Sequence, residues 1–388
     1  MITREILREL ADFQSPKGDA ITFYYQPYTP QDKSHRQEAI HIKDIVKEAM
    51  RKAERSGKNG TVRSDLERIL EMSDRLHGNA GRAKAIFACA SQGFWREYDL
   101  PAHLAGTELQ INGRFHVSPI AALDDAMGKS CACVMDRTKA RIFEVEDNNV
   151  KERESYFAEV VRRGRSDGFA GFDGGHAERR ADNEAQGHFR RVADHLLETY
   201  GAGQCEHIVI GCRDETWPDI ERQLHPYIKQ RLAGRFAADA ATITPEEVRD
   251  AAQRVMAQHR QQRREAVLQE TLDEARANNY GALGLKRVLR SLEQGEIQSL
   301  LIGSDFHAAG VECTNCGHLD IRMVSACALC GQATREVDDI RDLLVGRALR
   351  SDIGVINVPP GQVEFQKAGN IGALLRFRSE RSVGEKLA

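Results

Sequence analysis

The chain has 388 residues, and 41% of them are hydrophobic, which is enough for packed cores and too many for a disordered protein. Lys and Arg (55) nearly balance Asp and Glu (58), so the net charge of −3 does not favour nucleic acid and any RNA-binding surface must be local. No run approaches eighteen apolar residues, and the charged N-terminal segment lacks an apolar signal-peptide core. We therefore expect a cytoplasmic protein of two or three domains, without a membrane span.

The first part of the sequence predicts an α/β domain over residues 1–125. Runs rich in β-branched and aromatic residues predict buried strands at 19–27 and 84–95. Between them, apolar residues at helical spacing predict two helices, at about 35–56 and 62–77.

The middle part, residues 126–267, begins with a predicted hairpin of strands 130–135 and 140–146. A glycine-rich loop over 163–180 follows, and then a helix at about 182–200 and a buried strand at 207–212. Thr244-Pro245-Glu246-Glu247 is typical of a helix start. Thr is a favourable capping residue, Pro is accepted at the first helical position, and a Glu three residues after Thr can hydrogen-bond back to the capping residue. That helix is predicted to run to about Ala277 and to join two domains.

The last part, residues 268–388, alternates apolar helical patterns with short strands, which is typical of a compact α/β sandwich. Its predicted elements are a helix around 285–292, a strand at 298–302, a helix at about 335–349 and two closing strands. We expect a mixed sheet in each of the three domains, and loose packing between the domains.

A cysteine cluster interrupts this last domain, within a mini-domain at 311–333. Two Cys-x2-Cys pairs, each followed by Gly, are separated by ten residues, namely Cys313, Cys316, Cys327 and Cys330. Four thiolates at this spacing close a tetrahedral shell, which is typical of structural Zn2+ and leaves no open position for catalysis. A lost site or a redox pair is the alternative. The other five cysteines lie mostly in apolar runs and are interpreted as small buried residues.

The layout resembles the archaeal and eukaryotic class-one release factor and Pelota family, in its divergent bacterial branch of Balon-type ribosome-binding factors. "YGALGLKRVLRSLEQGEIQSLLI" and "GNIGALLRF" are similar to segments that begin and close the family's third domain, and the four-cysteine mini-domain is similar to the archaeal version. The resemblance implies an α/β (α+β) fold with a ribonuclease-H-like middle domain. It also implies a last domain like kink-turn-binding ribosomal proteins, with a zinc-ribbon insertion.

The resemblance also gives a role to the glycine-rich loop, because release factors carry a Gly-Gly-Gln loop at this location that enters the peptidyl-transferase centre. Here the triplet is Gly174-Gly175-His176, so the glutamine is absent, which argues against hydrolysis. A chance Gly-Gly-His in a flexible connection is the plain alternative. Arginines flank the triplet and are candidates for binding rRNA or tRNA phosphates, namely Arg162, Arg163, Arg165, Arg179 and Arg180.

The release factors' stop-codon motifs, an Asn-Ile-Lys-Ser loop and a Tyr-x-Cys motif, are not found in the first domain. The resemblance therefore implies a factor that occupies the ribosomal A site, touches both subunits and acts independently of stop codons, in hibernation or in the handling of stalled ribosomes. It also implies a translational GTPase, such as elongation factor Tu, as partner of the third domain. The alternatives are a peptidyl-tRNA hydrolase that uses Gly174-Gly175-His176, and an RNA-binding stress protein that has left the ribosome.

Overall fold

The structure, a computed structural model, describes residues 2–27, 35–55, 57, 59–76, 83–100, 106–121, 129–146, 149–157, 174–201 and 205–379. The chain divides into two compact units: unit 1 contains residues 1–124 and 264–388, and unit 2 contains residues 125–263. None of the helices in the described ranges is long and apolar enough to cross a membrane.

The first part of unit 1 is a four-stranded sheet covered by two long helices. Its elements are α1 (Arg4–Asp12), β1 (Ala20–Tyr25), α2 (His35–Arg55), α3 (Asn59–Leu76), β2 (Ala83–Cys89), β3 (Phe94–Leu100), β4 (Glu108–Asn112) and α4 (Ser118–Ala121). Apolar residues of α2 and α3 pack on Ile21 and Phe23 of the central strand. The sheet has the order β3-β2-β1-β4.

Two expectations for this sheet are corrected. A mixed sheet was expected, but every pairing is antiparallel, because two successive helices return the chain to the sheet in the opposite direction. The single strand predicted at 84–95 is two strands, β2 and β3. A short 3-10 turn at Ala90–Gln92 separates them, and Gly93 closes the turn in the left-handed region with φ 63°.

Unit 2 is built on a five-stranded mixed sheet with apolar cores on both faces. Its elements are β5 (Ser130–Met135), β6 (Lys139–Glu146), β7 (Asn149–Phe157), α5 (Gly174–Tyr200), β8 (His207–Gly211), α6 (Trp217–Gln223), α7 (Pro226–Gln230), β9 (Leu232–Phe236) and the start of α8 (Pro245–Arg276). The order is β7-β6-β5-β8-β9, with β5, β8 and β9 mutually parallel.

The hairpin β5–β6 and strand β8 confirm the sequence predictions, whereas β7 was not predicted. Helix α5 begins at Gly174, eight residues earlier than its predicted start near 182. Helix α8 begins with the predicted capping box: the Thr244 amide donates to Glu247 Oε2 at 2.8 Å, and the Glu247 amide donates to Thr244 Oγ1 at 3.3 Å.

The last part of unit 1 contains the end of α8 and two small sheets. Its other elements are β10 (Gly281–Leu283), α9 (Leu285–Glu293), β11 (Ile297–Gly303), β12 (Gly310–Cys313), β13 (Leu319–Asp320), β14 (Thr334–Val337), α10 (Arg341–Arg350), β15 (Gly354–Val358), α11 (Val363–Lys367) and β16 (Ile371–Leu375). The larger sheet, β10-β16-β11-β15, is mixed as predicted, because β11 and β15 run parallel. The smaller sheet, β13-β12-β14, carries the cysteines.

Polar contacts hold the first and last parts of the chain together within unit 1, where the sequence predicted loose packing. The Asp342 carboxylate, on α10, lies 2.7 Å from His116 Nδ1 and accepts a 2.6 Å hydrogen bond from the Ser118 hydroxyl. Around it, α1 contacts α10: the Arg8 guanidinium donates to the carbonyl of Leu349 at 3.0 Å. We call Asp342, His116 and Ser118 the Asp342 clasp.

The charge on His116 follows from its carboxylate neighbours. Burial alone would lower the pKa of this imidazole, but hydrogen bonds to Asp342 and Glu108 outweigh it and raise the pKa to about 9. A raised folded-state pKa stabilises the fold fully below the unfolded value of 6.5, and that stabilisation is lost as the pH rises through about 9.

We expect unit 1 to lose stability between about pH 6 and pH 9.5, on the order of 3 kcal/mol if the whole shift is expressed. A Trp217→Phe background leaves Trp95 of unit 1 as the one tryptophan, so urea unfolding followed by its fluorescence reports on unit 1. His116→Gln in that background should reduce the pH dependence of the free energy of unfolding.

His307 provides a matched control, because its imidazole also lies beside a carboxylate, Asp339, but its side chain is 69% exposed. His307→Gln should leave the pH dependence as in the parent. Equal pH dependence in the parent and in His116→Gln would show that the clasp does not hold a charged imidazole.

Candidate metal centre and glycine-rich segment

The two Cys-x2-Cys pairs form two turns with the same hydrogen-bond pattern. In the first, the Gly317 amide donates to the Cys313 carbonyl at 3.1 Å and the Cys313 amide to the His318 carbonyl at 2.8 Å. In the second, the Gly331 amide donates to the Cys327 carbonyl at 2.9 Å, and the Cys327 amide to the Gln332 carbonyl at 2.8 Å. Gly317 and Gly331 have φ of 69° and 74°, a conformation that favours glycine.

These turns bring all four predicted ligands together, with their sulfurs within 4.8 Å of one another. The separations are 3.4 Å between Cys313 and Cys330, 3.5 Å between Cys316 and Cys330, and 3.7 Å between Cys316 and Cys327. A tetrahedron with Zn–S bonds of about 2.3 Å has sulfurs about 3.8 Å apart. The cluster therefore fits a tetrahedral metal ion held by Cys313, Cys316, Cys327 and Cys330.

Backbone amides donate hydrogen bonds to the sulfurs of the cluster and so stabilise the thiolate form of the cysteines. The Cys316 amide donates to Cys313 Sγ at 3.4 Å, and the Leu329 amide donates to Cys327 Sγ at 3.4 Å. The Cys316 amide and its neighbours lower the pKa of the Cys313 thiol to about 6. A backbone hydrogen bond from His318 lowers the pKa of Cys316, but burial and contacts with the other three sulfurs outweigh it and raise that pKa to about 12, so Cys313 is the thiol that ionises first.

The metal centre is tied to the rest of unit 1 through Glu312, the residue before Cys313. Glu312 is 7% exposed, and its carboxylate accepts hydrogen bonds from Arg335 at 2.9 Å and from Arg114 at 2.8 Å. On the other side, the imidazole of His318 contacts the Glu293 carboxylate at the end of α9. Glu312 thus connects Arg114, in the first part of the chain, to the cysteine hairpin.

The glycine-rich segment is described only from Gly174 onward. Gly174, Gly175 and His176 form the first turn of α5, so the predicted loop does not continue as a loop to residue 180. Arg179 lies exposed on the same helix, and the backbone of Arg180 is helical. Arg162, Arg163 and Arg165, the side chains of His176 and Arg180, and the rest of the predicted loop lie outside the described residues.

Helix α5 is fixed on the sheet of unit 2 by one apolar face. Phe189, Val192 and Leu196 are buried on Cys133, Ile142 and other sheet residues. His188, in the predicted segment "HFRRVADHL", is also buried, which lowers its pKa. Near the start of the helix, Asp182 pairs with Arg137 of the β5–β6 turn.

Sequence reasoning did not find Arg114, His116, Glu312 or Asp342. Arg114 and Glu312 are 198 residues apart, and His116 and Asp342 are 226 residues apart. No local spacing connects them, and charged residues of these types are ordinarily exposed. The one available signal was Glu312, an isolated carboxylate directly before a cysteine of the predicted metal site.

Residues 116–276 match the family model described as "Bacterial archaeo-eukaryotic release factor family 10". Over this segment the chain is similar to release factors of the archaeo-eukaryotic type. This similarity to a bacterial family confirms the resemblance predicted from the sequence.

Three solved structures are similar to the chain beyond this segment. Archaeoglobus fulgidus Pelota is 13% identical over 97% of this chain and 93% of that chain, with a TM-score of 0.37. S. cerevisiae Dom34, a translation termination-like factor interacting with Hbs1, is 10% identical over 78% and 82%, with a TM-score of 0.41. Archaeal Pelota, solved as ribosome-bound with ABCE1, is 18% identical over 78% and 79%, with a TM-score of 0.40. No curated protein matches the chain.

We expect purified protein to contain about one equivalent of zinc, and Cys316→Ser to contain almost none, because three thiolates no longer close the shell. Metal analysis of the two proteins measures this. Cys212→Ala is the matched control, since its thiol is buried in unit 2 and lies outside the cluster.

Cys316→Ser should also lower the melting temperature of unit 1, because the cysteine hairpin has almost no apolar core of its own. Trp95 fluorescence in the Trp217→Phe background separates this effect from the melting of unit 2. Metal-free wild type, or a Cys316→Ser variant that keeps its zinc, would contradict the assignment.

Proposed function

We propose that the protein is a ribosome-binding translation factor of the release factor and Pelota type that occupies the A site independently of stop codons. It would act in ribosome hibernation or in the handling of stalled ribosomes. The observation that carries this proposal is the family match over residues 116–276, which contains the whole of unit 2 with its glycine-rich segment.

The start of α5 supports a contact with an anionic partner. Gly174, Gly175 and His176 form its first turn, whose peptide N–H groups have no partner within a helix. That turn itself contains no carboxylate, and the helix dipole favours an anion at this end of α5. Arg162, Arg163, Arg165, Arg179 and Arg180 are the proposed contacts with rRNA or tRNA phosphates.

The identity of residue 176 favours occupation of the A site over hydrolysis. Gln follows the two glycines in the release factors that the sequence resembles, whereas this chain has His176. The rival function is a peptidyl-tRNA hydrolase, in which His176 would transfer a proton near neutral pH and the peptide N–H groups would stabilise the developing negative charge.

The proposed partners rest on the resemblance to release factors and Pelota that the family match supports. The ribosome supplies rRNA of both subunits, and a translational GTPase such as elongation factor Tu would contact the last part of the chain. Zn2+ would have a structural role at the four cysteines, with no step of chemistry. The proposed location is the cytoplasm.

We expect wild type to co-sediment with ribosomes and to block A-site tRNA without releasing peptide from peptidyl-tRNA. Arg179→Ala combined with Arg180→Ala should weaken co-sedimentation and reduce its dependence on salt, because fewer counterions are displaced from the phosphates. Arg190→Ala combined with Arg191→Ala is the matched control, since it removes the same charge from exposed positions of the same helix.

A release assay with ribosomes that carry peptidyl-tRNA and an empty A site separates the two functions. Robust peptide release by wild type that is abolished in His176→Ala would favour the hydrolase. Absence of ribosome association under every growth condition would exclude both functions.

A further inference from the structure

We propose that His188 is a proton-sensitive latch on helix α5. The neutral imidazole holds the first half of the helix, residues 174–190, on the β5–β6 hairpin, and a proton on the ring releases that half together with the Gly174-Gly175-His176 turn. The latch is a property of unit 2 and does not depend on the proposed function. Only its consequence for ribosome binding rests on that function.

The imidazole of His188 is enclosed by unit 2 and is hydrogen-bonded at one nitrogen only. His188 is 1% exposed, and its ring interacts with the backbone of Lys139 in the β5–β6 turn. Nε2 is buried and has no hydrogen-bond partner in the described part of the chain. The Lys139 amide already donates to Asp136 Oδ1, so the ring contact is made by the Lys139 carbonyl. The neutral ring therefore carries its proton on Nδ1, which donates to that carbonyl.

A second proton on the His188 ring would be costly. It would lie on Nε2, as a buried N–H donor without an acceptor, and it would place a positive charge in an apolar environment. Burial accordingly lowers the pKa of His188 from 6.5 and outweighs the hydrogen bond to the Lys139 backbone.

The β5–β6 turn provides one carboxylate near the ring, that of Asp136. This carboxylate opposes the lowering of the His188 pKa, but it is the weakest of the four influences. Its Oδ1 already accepts hydrogen bonds from the amides of Thr138 and Lys139, at 2.7 and 2.8 Å. The turn therefore holds Asp136 in place, and its carboxylate is not hydrogen-bonded to the imidazole.

The charged groups of α5 do not compensate a proton on His188 either. Arg191, one turn further along the helix, is exposed and lowers the pKa of His188. Asp182 pairs with Arg137 of the β5–β6 turn. Glu184 lies one turn before His188 but is not among the groups that act on its imidazole.

His116 is the opposite case in the same molecule. Its imidazole is hydrogen-bonded to the carboxylates of Asp342 and Glu108, and these contacts raise its pKa to about 9 in spite of burial. Burial therefore does not by itself determine which form of a histidine this protein holds. The hydrogen-bond partners do, and those of His188 favour the neutral ring.

The first half of α5 is the part that a charged His188 would release, because the second half has other anchors. Four residues of the second half are buried in the core of unit 2, namely Val192, Ala193, Leu196 and Tyr200. Arg231 also donates a 2.8 Å hydrogen bond to the Tyr200 carbonyl. In the first half, the buried residues among the described side chains are Ala185, His188 and Phe189. One anchor in three would thus become unfavourable, in the less firmly packed half.

The direction of the pH dependence follows from the lowered pKa. In the released helix the imidazole is in water and titrates near 6.5, whereas in the latched helix its pKa is lower. The released form therefore binds the proton more readily. The latch is fully stable above about pH 6.5, and below that pH its opening equilibrium rises by up to about tenfold per pH unit until the lowered pKa is reached.

The test is hydrogen exchange of the full-length protein, followed by mass spectrometry of its peptides and corrected for intrinsic exchange rates. Between about pH 7.5 and about pH 5.5, the opening equilibrium of residues 174–190 should rise by up to about tenfold in wild type, while that of residues 191–200 stays unchanged. His188→Asn keeps a donor near the position of Nδ1 but cannot be protonated, so its first half should open equally at both pH values.

His195→Asn is the matched control, because His195 lies on the same helix but its imidazole is 3.0 Å from the Glu154 carboxylate and its side chain is 22% exposed. This variant should keep the pH response of wild type. Circular dichroism melting verifies that each variant is folded, and His188→Gln repeats the test if His188→Asn is not.

An equal pH response in wild type and in the folded His188 variant would overturn the inference. Opening of both halves of α5 to the same extent at the lower pH would also overturn it, since that indicates unfolding of unit 2 as a whole. Ribosome co-sedimentation is measured in parallel at the two pH values. Wild type that releases the first half of α5 but never co-sediments would remove the proposed function and leave the latch standing.

Discussion

The ion pair between Asp342 and His116 is the constraint on which the arrangement of unit 1 depends. One residue belongs to the first part of the chain and the other to the last, and unit 2 lies between them in sequence. A partly buried pair of this kind gains little over an apolar contact, but removing one partner leaves the other charge without compensation, at a cost of about 3–5 kcal/mol. Ser118 adds a hydroxyl and an amide hydrogen bond to the same carboxylate. Unit 2 is therefore an insertion whose two connections both leave from unit 1.

The metal centre belongs to the same network. Arg114 and His116 are two residues apart, and they contact Glu312 and Asp342 respectively. Glu312 is in turn adjacent to Cys313, whose position a metal ion would fix. Because the cysteine hairpin is small, the metal ion would supply much of its folding free energy. Metal binding would thus stabilise the contact between the two ends of the chain as well as the hairpin.

The sequence predicted features that depend on local chemistry and missed those that depend on distant partners. The cysteine spacing, the Thr244 capping box and the β5–β6 hairpin were predictable because each is determined by residues a few positions apart. Strand β7 was missed because four of the nine residues in "NVKERESYF" are charged, as an edge strand tolerates. The start of α5 was placed too late because two glycines disfavour a helix interior but are accepted in its first turn. The Asp342 clasp has no local signal at all.

The near-neutral charge of the chain is an average over segments of different sign. Several arginines in the described part of unit 2 pair with carboxylates, as Arg141 does with Glu152. Paired charges attract a polyanion weakly, because the fields of the two members cancel beyond about one Debye length, roughly 10 Å. A local excess of cations therefore determines where RNA would bind, and the net charge of the chain does not.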